Sequence, residues 1–104
     1  MNGENNVVTL SGDNGEKINL LRIRYFVEAA RHQNFSVAAR NLFTSQPNLS
    51  KQIALMEQEL GFQLFQRVGK SIYLTQAGEY LYEQFKELPD YCAQAIAQAT
   101  ALSR

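Results

Sequence analysis

Cysteine and histidine occur once each, as Cys92 and His32, so the chain has neither a disulfide framework nor a cluster of the kind that holds zinc. A reducing compartment is expected. No apolar run approaches the ~20 residues of a membrane span, and the first residues lack the charged-then-apolar order of a signal peptide. The expectation is a cytoplasmic protein without membrane contact. Catalytic equipment is missing too. There is no glycine-rich phosphate loop, no second histidine and no cysteine–histidine pair at useful spacing, and the carboxylates are scattered. Neither an enzyme nor a bound metal or cofactor is expected. His32 reads as a charge complementing a helix C-terminus, and Cys92 as a small apolar packing residue.

The formal net charge is zero, which argues against a polyanion partner until the charge is divided along the chain. Met1 to Ile18 carries −2, Asn19 to Gly78 carries +4, and Glu79 to Arg104 carries −2. A basic middle is flanked by acidic ends. With 104 residues, 45% of them hydrophobic, the chain can bury one small core, so a single compact domain with appendages is expected.

Residues 1–18 are rich in Asn and Gly and read as a flexible tail, with Asn14-Gly15 able to close a weak hairpin. From Asn19, a plausible N-cap, Leu20, Ile23, Phe26, Val27 and Ala30 fall on one stripe of a helix ending near Gln33. A short second helix, capped by Ser36, turns Phe35, Ala38, Ala39 and Leu42 inward, and its two alanines suggest a tight helix crossing. Ser45 caps a third helix. Pro47 is harmless in its first turn, where amide protons have no intrahelical partner, and Gly61 ends it in the left-handed conformation. Leu49, Ile53, Met56 and Leu60 form its buried stripe. Gln46, Pro47, Ser50 and Lys51 stay outside. Beyond Gly61, Ile72 and Leu74 alternate with Ser71 and Tyr73, giving a small hairpin with a turn at Val68-Gly69 and Arg67 and Lys70 at its tip. Thr75 caps a last helix in which Leu81, Phe85, Leu88, Cys92, Ala95, Ala99 and Leu102 keep a heptad seam.

The fold class is therefore mainly α: a winged helix-turn-helix over residues 19–75, with three helices and a two-stranded wing, followed by a long linker helix over 76–104. Recognition helices of this kind read base edges with their N-terminal residues, which explains why polar groups project there. Gln46 can bond adenine bidentately, Lys51 can donate to guanine, and the ring of Pro47 can meet a thymine methyl. Ser45, the free amides of its turn and Ser36 are placed for the DNA backbone. Arg67 and Lys70 suit a narrow minor groove, where negative potential is concentrated. Taken alone, Gln46, Ser50 and Lys51 read better as an ordinary solvated helix face, and Arg67 equally well as a surface charge; the helix-turn-helix frame favours the DNA reading.

From about Asn19 to Leu81 the chain resembles the N-terminal DNA-binding domain of bacterial LysR-type transcriptional regulators. The resemblance rests on "LRIRYFVEAARHQNFSVAARNL", "SQPNLSKQIALMEQELGFQLFQR" and "LTQAGEYL", in that order. It implies base or phosphate contacts for Gln46, Pro47, Ser50 and Lys51 and a minor-groove contact for Arg67. It implies a homodimer paired through the linker helix, reading an interrupted palindrome in double-stranded DNA. It also implies a small-molecule inducer, bound by a further domain that normally comes after the linker helix. Lys51 departs from the more usual arginine and so lacks the planar fork.

Pro89 interrupts the linker helix and removes a bond to the carbonyl of Phe85, at ~3 kcal/mol in an undisturbed helix. Two outcomes are open: a kink or break with restart inside a dimerising helix, or a helix that ends at Leu88. Ending at Arg104, the sequence is expected to be an excised fragment; a stand-alone regulator half is the alternative. A dimerisation or protein-interaction module that has lost DNA binding is the competing function.

Overall fold

The computed structural model describes residues 18–104. The expected tail and the Asn14-Gly15 turn lie outside them, except for Ile18, which is 4% exposed and belongs to the core. The elements run α1 (Leu20–His32), α2 (Phe35–Asn41), α3 (Gln46–Leu60), β1 (Phe65–Val68), β2 (Ser71–Leu74), α4 (Gln76–Phe85) and α5 (Leu88–Leu102). This is the winged helix-turn-helix with a helical extension that the sequence implies.

Local chemistry sets most of the boundaries. Asn19 Oδ1 accepts from the Arg22 amide at 2.9 Å and starts α1, which buries Ile23, Phe26, Val27 and Ala30. The second helix is capped earlier than expected. Asn34, not Ser36, is the N-cap, its Oδ1 accepting from the Val37 amide at 2.9 Å, and Ser36 lies inside the first turn. Asparagine caps at least as well as serine, and Phe35 can then enter the core from the first helical position. Ala38 and Ala39 are buried, and their size lets α2 sit closely between α1 and α3. A ring of polar contacts ties the outer ends of α1 and α2: Asn41 Nδ2 donates to Glu28 Oε2 at 3.0 Å, and His32 Nε2 lies 2.9 Å from the same oxygen. Burial would raise the Glu28 pKa, but hydrogen bonds from Asn41 and His32 and the charges of His32 and Arg31 outweigh it, holding the carboxyl below its usual value.

The turn into α3 carries an unusual residue. Phe43 has φ +57 and is 94% exposed. A bulky side chain in the left-handed region costs ~1 to 2 kcal/mol, and here no burial offsets it. Phe43→Gly should therefore raise the unfolding free energy by about 0.5 to 1 kcal/mol, after the larger chain entropy that glycine loses on folding. Thermal unfolding followed by circular dichroism measures it; an unchanged or lower midpoint would place a stabilising contact on the Phe43 ring.

Ser45 Oγ accepts from the Asn48 amide at 3.1 Å, and Gly61 closes α3 at φ +86. Leu49, Ile53 and Met56 are buried along it, with Leu60 half-buried. The core gathers around Phe26, which meets Phe65 edge-on at 5.8 Å, while Phe35 meets the same ring at 5.4 Å. Thus one aromatic side chain from the wing locks into both α1 and α2.

The wing is antiparallel, pairing Phe65 with Leu74 and Val68 with Ser71. Its loop is Gly69-Lys70, one residue later than expected, with Gly69 at φ +62 in the first loop position, as a primed two-residue turn demands. Arg67 accordingly sits within β1 opposite Ile72, not at the tip; only Lys70 is in the turn.

The last helix is two helices. Thr75 Oγ1 accepts from the Gly78 amide at 2.9 Å and starts α4, which ends at Phe85, and α5 restarts at Leu88 with Pro89 in its first turn. There the missing amide proton costs nothing, so the chain breaks and restarts instead of carrying a kinked, depleted helix. The break divides the seam. Leu81, Phe85 and Leu88 pack partly buried against their own core, whereas Cys92 is half-buried and Ala95, Ala99 and Leu102 are exposed.

Candidate DNA interface

The N-terminal end of α3 presents Gln46, Pro47 and Lys51 to solvent, with Ser50 half-buried behind them. The cap is doubly fixed, because Asn48 Nδ2 also donates to Thr44 Oγ1 at 2.9 Å. Ser36 Oγ donates to Gln46 Oε1 at 3.1 Å. Ser36, displaced from its expected capping role, thus holds the side chain expected to read a base. That hydrogen bond occupies one lone pair of the Gln46 carbonyl and leaves the other, and both amide protons, for a base edge.

The wing closes the other side. The Arg67 guanidinium lies 5.0 Å from the centroid of the Phe35 ring. Such a stacked cation is pre-aimed at modest cost, because the ring restricts it while its N–H edge stays open. Between wing and α3 runs a cleft of about 450 Å³ bordered by Ser50, Ala54, Gln63 and Arg67. A smaller depression of about 220 Å³ collects Ser36, Gln46, Arg67 and Lys70. The structure therefore brings five of the expected contact residues, Ser36, Gln46, Ser50, Arg67 and Lys70, around two adjoining hollows, with Pro47 and Lys51 exposed on the same helix end. The seam residues Leu81 to Leu102 belong to other surfaces.

The acids of α3 do not oppose this cationic face. Arg22 Nη1 donates to Glu59 Oε1 at 2.7 Å and Arg22 Nε to Gln52 Oε1 at 3.2 Å, pinning α3 to α1. Glu57 Oε2 accepts from the backbone amides of Leu64 and Phe65 at 2.7 and 3.1 Å. The roles of Asn34, of Glu57 and of Phe35 beyond the core are not among those expected from the sequence. Asn34 was legible as a competing cap; Phe35 acts through contacts with residues some thirty positions away, and Glu57 through a bend seven residues on that no periodicity announces. Among the described residues no group of three or more metal-ligating side chains occurs, and no helix is long and apolar enough to cross a membrane.

Comparison with known proteins gives a consistent result. Residues 20–79 match the family described as "Bacterial regulatory helix-turn-helix protein, lysR family". The chain is 40% identical over 82 residues to the HTH-type transcriptional regulator BudR of Klebsiella aerogenes, a match covering 79% of this chain and 57% of BudR. It is 46% identical over 67 residues to the probable cat1 operon transcriptional activator of Acinetobacter lwoffii, covering 64% of this chain and 22% of that one. Among solved structures, a BenM DNA-binding domain in complex with benA site 1 DNA superposes with a TM-score of 0.74 at 32% identity, over 83% of this chain and 97% of that chain. A CbnR DNA-binding domain in complex with DNA gives 0.72 at 28% identity, over 84% and 100%.

Proposed function

The chain belongs to the lysR family of bacterial regulatory helix-turn-helix proteins, and from that premise we propose that it is a sequence-specific reader of double-stranded DNA that regulates transcription in the cytoplasm. The observation that carries the reading is the N-terminal end of α3, where Gln46, Pro47 and Lys51 project beside the stacked Arg67 of the wing. In the major groove, Gln46 offers one acceptor and two donors to a base, Lys51 offers donors to guanine or to a phosphate, and the ring of Pro47 offers an apolar edge. Ser50 joins them at a base or an adjacent phosphate, while Ser36, Ser45, Arg67 and Lys70 serve the backbone and the adjoining minor groove. Two copies joined through α5 present two such ends, so the target is an interrupted palindrome whose half-sites repeat at a helical turn or a multiple of it.

The test is selection of bound duplexes from a mixed library at low and high salt. Enrichment of an interrupted palindrome, with affinity falling as salt rises, is expected. A folded chain that enriches nothing and whose retention on a polyanion ignores salt would overturn the reading in favour of a pairing module. On the selected site, Gln46→Ala should weaken binding by about 1 to 3 kcal/mol and leave non-specific binding nearly intact. Equal losses on both, read by fluorescence anisotropy, would make Gln46 a backbone-positioning group.

A further inference from the structure

The last turn of α3 and the start of the wing are joined by one side chain. Glu57 Oε2 accepts from the Leu64 amide at 2.7 Å and from the Phe65 amide at 3.1 Å. Among the described residues, no other α3 side chain hydrogen-bonds the wing or the loop leading to it. Two N–H groups converging on one carboxylate oxygen make a directional tie. The residues of β1 give this tie a purpose. Phe65 locks its ring against Phe26 and Phe35, and two residues further along the strand the Arg67 guanidinium rests over that same Phe35 ring. The path from Glu57 to Arg67 is therefore Leu64 and the first three residues of β1, anchored at the amides of Leu64 and Phe65 and at the Phe65 ring.

We propose that Glu57 is a positioning residue for DNA reading: it fixes the wing to the recognition helix, so that Arg67 and the Gln46–Lys51 end meet the two grooves as one rigid unit. The proposal rests on the DNA-binding reading given above. Glu57 touches no DNA itself; its carboxylate is satisfied by the backbone and lies at the inner edge of the cleft that Ser50 and Arg67 border. Without the tie, the start of the wing keeps the Phe65 ring against α1 and α2 and the bonds of Thr75, whose hydroxyl donates to the Gln63 carbonyl at 2.7 Å and whose amide donates to the Leu64 carbonyl at 2.9 Å. No α3 side chain then hydrogen-bonds it, and the angle between wing and α3 loosens.

The experiment compares wild type, Glu57→Ala, Glu57→Gln, Arg67→Ala and the double variant Glu57→Ala/Arg67→Ala on the selected duplex across salt concentrations, with amide hydrogen exchange measured on the free proteins. Glu57→Ala should lose exchange protection at Leu64 and Phe65, weaken binding roughly fivefold per subunit and lower the salt slope by about two, since the dimer loses one cationic contact in each half-site. Arg67→Ala should do the same to binding without the exchange change, and the double variant should be no worse than either single one. Glu57→Gln, whose carbonyl can accept both amides, should stay near wild type. Where Glu57→Ala does not fold, Glu57→Asp, too short to reach both amides, takes its place with the same expected direction. Additive losses in the double variant, or a folded Glu57→Ala with an unchanged salt slope, would overturn the proposal. A salt slope equal in wild type and Arg67→Ala would instead remove the wing from DNA reading, and the proposal would fall for that separate reason.

Discussion

Gly78→Ala should lower the unfolding free energy of the chain by about 3 kcal/mol, the upper part of the range for forcing atoms into a packed site. By helix propensity alone the same change in the first turn of α4 should gain up to ~1 kcal/mol, so the two considerations predict opposite signs. Geometry decides between them. A Cβ on Gly78 would overlap the carbonyl oxygen of Leu64 and stand 3.1 Å from both the Leu64 carbonyl carbon and Leu74 Cδ2. The Leu64 carbonyl cannot retreat. It accepts from the Thr75 amide at 2.9 Å, its residue is fully buried, and its own amide is held by Glu57 at 2.7 Å. Relief must come from moving α4 off the wing, which gives up part of the packing of Leu81, Phe85 and Leu88 on the core. Urea unfolding of the variant measures the loss. A stability equal to wild type would mean that α4 docks loosely and that the wing–α4 junction is adjustable.

The same junction shows what the sequence could and could not disclose. Caps at Asn19, Ser45 and Thr75 and the left-handed Gly61 stand where the sequence puts them, because capping is settled within three or four residues. The buried stripe of α3 is legible for the same reason. Ser36 misled because two good caps stood two positions apart, and the packing of Phe35 against Phe65, a residue thirty positions away, favoured the earlier one. The wing turn slipped by one residue because strand register is fixed by the partner strand and by the glycine that can take φ +62, not by the alternation alone. That slip is what moved Arg67 from the tip into β1, beside Phe35. The heptad period marks an apolar stripe, yet a period cannot say what covers it. Leu81, Phe85 and Leu88 are covered by their own domain, and only the part of α5 beyond Leu88 remains uncovered.

That division changes which substitution tests subunit pairing. Leu81→Asp would place a charge against the chain's own core, so a loss of DNA binding would report unfolding as readily as dissociation. Ala95→Asp avoids this. Ala95 is exposed on α5, in the stripe formed with Cys92, Ala99 and Leu102, and no core side chain rests on it. Within a paired seam the two new carboxylates would face an apolar partner surface and one another, both unfavourable. The variant should keep the circular dichroism of wild type and sediment as a monomer at micromolar concentration. Its affinity for the selected palindrome should fall by at least about a hundredfold, because two half-sites held by one dimer gain that much from effective concentration. Affinity for an isolated half-site should hardly change, since the Gln46–Lys51 end and Arg67 are untouched. A variant that remains dimeric would move the pairing surface off the α5 stripe. A monomer that still binds the palindrome as wild type does would show that one copy reads the site alone, and the palindrome would then owe nothing to the symmetry of a dimer.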